Sequence, residues 1–403
     1  MATPATPATP EVLDGLIDDP YATYALLRES APVRRVTGTD GNAAWLVTRY
    51  ADVREALADP RLSLDKAHAL PGNYRGFSLP PALDANLLNM DPPDHTRVRR
   101  LVAKAFTPGR TERLREPVRR AADELLDALA EAGGGDLVAA YAAPLPIAVI
   151  CDLLGVPATR RPDFRTWTDA LVAPDPARPH LAKEAVAGLL GYFTGLIAQK
   201  RARPGDDLLS DLIAVRDDDG GDGGRLSEDE LMSLAFLILF AGYENVVQLI
   251  GTAVLGLLSH PEQLAAVRAD PGLLPGAVEE FLRHEGPVLL AIRRFPLEDV
   301  TIGGVRVPKG ETVLVSTGSA GRDPERFADP DRLDVTRDAS GHLALGHGIH
   351  YCLGAPLARM ETATALAALI ERFPDLALAV PVEELRWRPS MRARGLLELP
   401  VVC

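Results

Sequence analysis

The stretch from Ser227 to Ser259 constrains the fold more than any other part of the chain. Ser227-Glu228-Asp229-Glu230 reads as a capping box, in which the Ser227 hydroxyl and the Glu230 carboxylate each satisfy a backbone N–H at the start of a helix. No proline follows until His260-Pro261, which ends the helix. About 32 residues at about 1.5 Å each span about 50 Å, enough to cross a whole protein of this size. The stretch is apolar on most sides, so the helix is predicted to be buried. At its middle lies Ala241-Gly242-Tyr243-Glu244-Asn245, a small-residue pair followed by an acid and an amide.

The second constraint is Leu345-Gly346-His347-Gly348-Ile349-His350-Tyr351-Cys352-Leu353-Gly354, followed by a helical stretch from Ala355 to Glu371. Spaced glycines let backbone amides approach a buried ligand, because no side chain stands in the way. Amides aimed at sulfur hold it as a thiolate, and the positive end of the following helix acts in the same direction. A single thiolate is how one class of haem iron is held. A structural cysteine in a glycine-rich turn is the plainer alternative. The spacing Gly-x-Gly-x-His-x-Cys-x-Gly, continued by Leu357-Ala358-Arg359, is long and specific.

This loop resembles the haem-ligand signature of the cytochrome P450 superfamily, the haem-thiolate monooxygenases. The resemblance implies that Cys352 is the metal ligand of haem b (iron protoporphyrin IX). It also implies that Leu345, Gly346, Gly354 and Ala358 line the cofactor and that His350 reaches a propionate. The family usually has Phe at the position of Leu345, and a smaller aliphatic there could alter redox potential and thiolate shielding. Ala241 to Asn245 resembles the family's oxygen-binding segment, where the Ala241/Gly242 pair thins the helix beside the oxygen site. Glu244 fits the catalytic acid, and Asn245 stands where the family usually has a threonine. Its amide can donate to a bound oxygen or fix a water, but it relays a proton less readily than a hydroxyl. Three routes stay open. A substrate hydroxyl or an ordered water supplies the missing function; or the enzyme couples aromatic or peptide substrates oxidatively without inserting oxygen; or it is a haem-binding protein with weak oxygenase activity.

Further motifs agree in order along the chain. His95 and Arg99 lie four apart on one helical face, and the resemblance makes them a pair gripping propionates. The alternative is two solvated side chains. Arg294, with Arg293 as the other choice, aligns with a further propionate contact. Glu280-Phe281-Leu282-Arg283 resembles the family's Glu-x-x-Arg ion pair, closed by a downstream segment around Arg322-Asp323-Pro324 and Phe327 to Pro330. Leu88, Trp167, Val288, Leu289, Ala291 and Arg392 are candidates for the substrate pocket. Core packing is an equal reading for Trp167, and pointing to solvent is an equal reading for Arg392.

The implied fold is mainly α with a small β region, the haem lying between the long central helix and the cysteine-ligand loop. Length alone suggests two or three domains, but the family is one domain of about this size, so residues 1–403 are expected as one domain with 1–18 a disordered tail. Strands are predicted at Val33 to Val36, Ala44 to Val47, Val300 to Val307 and Glu311 to Ser316, and a helix from about Met90 to Phe106. A net charge of −13 argues against nucleic acid as a partner. Three cysteines are too few for a disulfide framework. The start of the chain lacks a signal peptide and an apolar anchor, so a cytoplasmic monomer with no membrane contact is expected. The implied activity is hydroxylation of a small organic substrate in secondary metabolism, using dioxygen and electrons from a ferredoxin and ferredoxin reductase. Arg100 and Lys104, in a basic run reaching Arg120, are the candidates for ferredoxin docking.

Overall fold

The capping box forms as its residues dictate. The Ser227 N–H donates to Glu230 Oε2 at 2.7 Å, the Glu230 N–H donates to Ser227 Oγ at 3.1 Å, and the helix they start runs from Glu228 to Ser259. The computed structural model describes residues 10–38, 41–73, 80–103, 106–172, 178–217 and 225–403. In chain order the helices are α1 (Pro10–Asp18), α2 (Pro20–Ser30), α3 (Tyr50–Ala58), α4 (Pro81–Asp84), α5 (Asp94–Ala103), α6 (Pro108–Arg113), α7 (Arg115–Ala132), α8 (Pro144–Leu153), α9 (Arg161–Val172), α10 (His180–Ala202), α11 (Leu208–Asp217), α12 (Glu228–Ser259), α13 (Pro261–Ala269), α14 (Leu274–Glu285), α15 (Thr317–Gly321) and α16 (Ala355–Arg372). The strands are short: β1 (Val33–Thr37), β2 (Ala43–Val47), β3 (Leu62–Ser63), β4 (Gly134–Asp136), β5 (Phe295–Pro296), β6 (Val300–Ile302), β7 (Val305–Val307), β8 (Thr312–Val315), β9 (Ala377–Leu378) and β10 (Pro400–Val402).

The chain forms two compact units. The first comprises Met1–Phe77, Gly251–Ala355 and Val380–Leu397. Its sheet has the order β1-β2-β8, antiparallel at Val33↔Val47 and parallel at Val47↔Val315. Successive strand side chains point to opposite faces. Trp45, Val47, Val313 and Val315 therefore join one buried cluster, with Val53 and Leu57 of α3. Ala44, Leu46 and Leu314 join another, with Tyr24 and Leu27 of α2. Both faces of β2 and β8 are covered, which is why those two strands read as nearly continuous apolar runs, whereas the edge strand β1 carries Arg34 and Arg35.

Two expectations need correction in this unit. Residues 10–18 are not a disordered tail but helix α1, fixed by buried Leu16 and by Ile17 against the Tyr24 and Leu27 cluster. Val300 to Val307 is not one strand but the hairpin β6–β7, because Gly303 (φ 52) and Gly304 (φ 80) take left-handed conformations that turn the chain.

The second unit comprises Ser78–Ile250, Pro356–Ala379 and Glu398–Cys403. Here α5 begins at Asp94, later than expected, directly after Pro92-Pro93. Pro144 sits in the first turn of α8, where its missing N–H costs no helical bond, so it starts the helix rather than kinking it. Arg97 of α5 bonds the Arg225 carbonyl at 3.0 Å and the Glu230 carboxylate, holding α5 to the start of α12. The Tyr141 hydroxyl donates to Ala365 O at 2.8 Å, fixing α16 within the same unit.

Candidate functional site

The cysteine loop belongs to the first unit. Gly346 (φ 78) and Gly348 (φ 72) both adopt left-handed backbone that disfavours other residues. The Cys352 N–H donates to Leu345 O at 2.9 Å and closes the loop, while His350 ends a 3-10 turn, Gly348–His350. A Cβ at Gly348 would stand 3.3 Å from both Ala58 Cα and Leu57 O, so the loop lies directly on the end of α3. The Cys352 thiol is exposed and in no disulfide, and α16 begins three residues later at Ala355. At Gly354 a Cβ would come to 4.0 Å from Sγ, an ordinary contact.

Arg294 reaches the same end of α3. It pairs with Val313 through bonds of 3.0 and 2.8 Å, and its buried guanidinium donates to Ala56 O (3.2 Å) and Leu57 O (3.1 Å). These are carbonyls of the last helical turn, where a cation is favoured. Arg293 is half-buried, its guanidinium 5.9 Å from the ring centre of Phe295.

Glu280 and Arg283, both 0% exposed, meet through Nε–Oε2 (2.6 Å) and Nη2–Oε1 (2.7 Å). Arg283 also donates to Gly321 O (2.8 Å), Pro330 O (2.6 Å) and Arg332 O (3.3 Å). Glu280 Oε1 accepts in addition from Asp334 N–H (2.9 Å) and Arg337 Nε (3.2 Å). Both oxygens of the buried carboxylate are thus engaged, Oε2 by one donor and Oε1 by three. Arg337 was not singled out from sequence, since it reaches Glu280 across 57 residues.

The α12 segment lies in the second unit. In a helix buried along most of its length, Phe240 is 36% exposed and Ala241 is exposed too. Gly242 is required by its neighbour: a Cβ would stand 2.6 Å from Ile150 Cδ1 of α8. The Glu244 carboxylate accepts from Gln248 Nε2 at 3.0 Å, one turn on. Asn245 Nδ2 donates to Ala241 O at 3.2 Å, one turn back. His95 is buried on α5, and burial, then the charge of Arg99, holds it below its usual range. Arg99 is half-buried on the same face.

The expected site residues thus divide. Arg294, Leu345, Gly346, His350, Cys352, Gly354, Glu280, Arg283, Val288, Leu289, Ala291 and Arg392 belong to the first unit; Leu88, His95, Arg99, Trp167, Ala241, Gly242, Glu244, Asn245 and Ala358 belong to the second. Two pocket candidates make close packing contacts with glycines. Trp167 lies on Gly188 of α10, where a Cβ would come to 2.6 Å from Cε2, and its ring joins Phe164 and Tyr192. Leu289 is 0% exposed and lies on Gly318, where a Cβ would come to 2.6 Å from Leu289 Cδ2. In both places the glycine opposite makes room for the side chain, and Trp167 stays half-buried. Leu88, Val288 and Ala291 are half-buried, and Arg392 is exposed at a hairpin tip. Tyr74 and Phe77, which the sequence also offers for the pocket wall, and Lys104 lie outside the described residues.

Known proteins resemble the chain along nearly its whole length. A cytochrome P450 family model matches residues 272–378. The cytochrome P450 monooxygenase PikC of Streptomyces venezuelae is 49% identical over 409 residues, covering 98% of this chain and 95% of that one. The chain belongs to the cytochrome P450 family. A further P450 relative, the 6-deoxyerythronolide B hydroxylase of Saccharopolyspora erythraea, is 46% identical over 95% of this chain and 96% of its own. The solved P450 PksS of the Bacillus subtilis 168 bacillaene polyketide synthase superposes with a TM-score of 0.89 at 36% identity, covering 96% of this chain and 97% of that one. This P450 is therefore a monooxygenase with the mainly helical P450 fold, and its family cofactor is a haem iron. Its residues fit that group. Among the described residues no cluster of three or more His, Cys, Asp or Glu could chelate a metal. One exposed thiol in a loop closed on itself suits a metal carried by a prosthetic group and held by a single soft donor.

Proposed function

We propose that this P450 holds haem b through Cys352 and hydroxylates a polyketide-type secondary metabolite, using dioxygen and electrons from a ferredoxin and its reductase. The observation that carries the reading is the exposed Cys352 thiol in a glycine loop shaped by Gly346 and Gly348. When bound, the haem supplies the dioxygen chemistry, which the electron-rich thiolate favours. The loop amides and the start of α16 hold the sulfur as an anion. Arg294, Arg99, His95 and His350 receive the propionates, Arg294 from a position already fixed by the α3 carbonyls. The polyketide class is supported by the name of the PksS P450 of a polyketide synthase among the relatives.

Asn245 gives one amide hydrogen to Ala241 O and presents Oδ1 as an acceptor. A substrate hydroxyl or an ordered water donating to Oδ1 then moves the proton, and Asn245 orients it. Glu244, steadied by Gln248, is the adjoining acid. For the electron donor, Arg100 is exposed on α5. The rest of the basic run is less basic than it reads: Arg110, Arg115 and Arg119 are each ion-paired, to Asp211, Glu112 and Asp123.

The test is the absorption spectrum of reduced protein under carbon monoxide. A strongly red-shifted Soret band that disappears in Cys352→Ser supports thiolate ligation by Cys352. A band at the position of histidine-ligated haem, unchanged in that variant, overturns it. With product in hand, isotopically labelled dioxygen separates insertion from oxidative coupling: absence of label in the product refutes hydroxylation. Asn245→Thr should then change the fraction of electrons lost as peroxide, and an unchanged fraction removes Asn245 from proton delivery.

A further inference from the structure

Tyr243 is the most deeply buried residue between Ala241 and Asn245, at 2% exposure, and the chemistry above gives it no part. Its hydroxyl donates to Asp169 Oδ1 of α9 at 2.9 Å. Burial, then the negative charge of Asp169, pushes the phenol far above its ordinary range, so it stays a neutral donor. A hydrogen bond to a carboxylate is charge-assisted and stronger than one between neutral groups. Asp169 itself is 52% exposed, and Arg165, one turn earlier on α9, stands 3.8 Å from its other oxygen. A phenol so buried, aimed at a carboxylate so open, is not explained by packing, which Phe would satisfy.

The neighbouring contacts show what the bond connects. Gly242 lies on Ile150 of α8, and Tyr243 reaches α9, so this short segment touches two helices at successive positions. Helix α9 is fastened in turn to α10 through the rings of Phe164, Tyr192 and Phe193, with centres 4.9 and 5.6 Å apart from Phe164. Asn245, two residues beyond Tyr243, stands about 200° further round the helix. Tyr243 therefore cannot share the contacts of Asn245 and must act through the helix backbone.

We propose that the Tyr243–Asp169 hydrogen bond is a positioning tie, which makes the setting of Ala241 to Asn245 depend on where α9 lies. A ligand that shifts α9 is then felt at Asn245. The inference rests on the reading of Ala241 to Asn245 as the segment that adjoins the haem.

The experiment is a double-mutant cycle on haem-loaded protein with Tyr243→Phe, Asp169→Ala and the double variant, and Asp169→Asn as the conservative rescue. The readout is the dissociation constant of 4-phenylimidazole for the ferric haem, followed by its spectral shift. Each single variant should change it by about threefold to tenfold, and the double variant by no more than either, as for two residues acting through one contact. Asp169→Asn keeps an acceptor oxygen and should stay within about twofold of the parent. Additive effects, or parental binding in Asp169→Ala, would overturn the tie. If Tyr243→Phe fails to load haem, Asp169→Ala against Asp169→Asn decides alone, since Asp169 is half-exposed. The reduced carbon monoxide spectrum separates the two readings. A thiolate-type band in every variant with additive effects refutes only the tie; its absence in the parent refutes the functional reading and the tie with it.

Discussion

Replacing Glu280 by alanine should cost this protein a large share of its stability and its haem. Truncation leaves the Arg283 guanidinium, 0% exposed, with no counter-charge, and it strips partners from Asp334 N–H and Arg337 Nε. Breaking one side of a buried ion pair costs about 3–5 kcal/mol, and an orphaned buried N–H about 1–3 kcal/mol. The two overlap, so about 4–6 kcal/mol is expected, against a total stability of about 5–15 kcal/mol for a typical protein. Arg283 cannot simply be removed to compensate, because it also satisfies the carbonyls of Gly321, Pro330 and Arg332. These carbonyls lie on the chain from the last residue of α15 towards the cysteine loop, so their release should loosen the approach to Cys352. The assay is urea denaturation followed by circular dichroism, with haem content of the purified protein measured alongside. A Glu280→Ala variant that is fully haem-loaded and within about 1 kcal/mol of the parent would refute the reasoning, since so small a loss belongs to an exposed pair.

Further outcomes can be checked singly. Burial, then the charge of Arg322, lowers His284 to about 3; below the ordinary value of 6.5 the unfolded chain takes up a proton that the folded one does not. Stability should therefore fall as pH drops from about 6.5, by up to about 2 kcal/mol at pH 5, and His284→Gln should flatten that limb in urea titrations. Burial pushes Glu361 up to about 8 from an ordinary 4.5; its neutral form stabilises below 4.5, and that advantage is lost as pH rises to 8. Glu361→Gln should thus remove a decline in stability across that window, and an unchanged pH profile would contradict the assignment. Gly242→Ala should cost about 1–3 kcal/mol by overpacking against Ile150, and Ile150→Val should recover part of it; equal losses in single and double variants would exclude that contact as the cause.

What could be read before the structure was chemistry carried by neighbours in sequence. The capping box at Ser227, the Cys352 loop and the Glu280–Arg283 pair each need residues a fixed few positions apart, so their spacing states their geometry. Partners far along the chain left no such trace. Arg337, which shares the Glu280 carboxylate, and Asp169, which receives the Tyr243 hydroxyl across 74 residues, have unremarkable surroundings in sequence. The packing of Trp167 and Leu289 was hidden for the same reason: each lies against a glycine on another stretch of chain, Gly188 or Gly318, that no local pattern connects to it. The hairpin at Gly303-Gly304 was legible, because paired glycines between two apolar runs are a turn signal; reading Val300 to Val307 as one strand passed over it.

The distinction bears on how the cysteine loop holds its shape. The loop motif supplies the glycines and the thiol, yet the surface that it rests on is the end of α3, some 290 residues earlier in the chain (a separation of about this size, 291, also carries the Tyr50–Gly341 bond). Leu57 O faces the Gly348 backbone at 3.3 Å to its would-be Cβ and accepts from Arg294 Nη2 at 3.1 Å. One carbonyl thus fixes both the approach of the loop and the direction of a guanidinium proposed to meet a propionate. Arg294→Lys keeps the charge but loses the fork that reaches two carbonyls at once. It should therefore disturb the loop as well as the proposed propionate contact. That effect separates it from a residue that contributes charge alone.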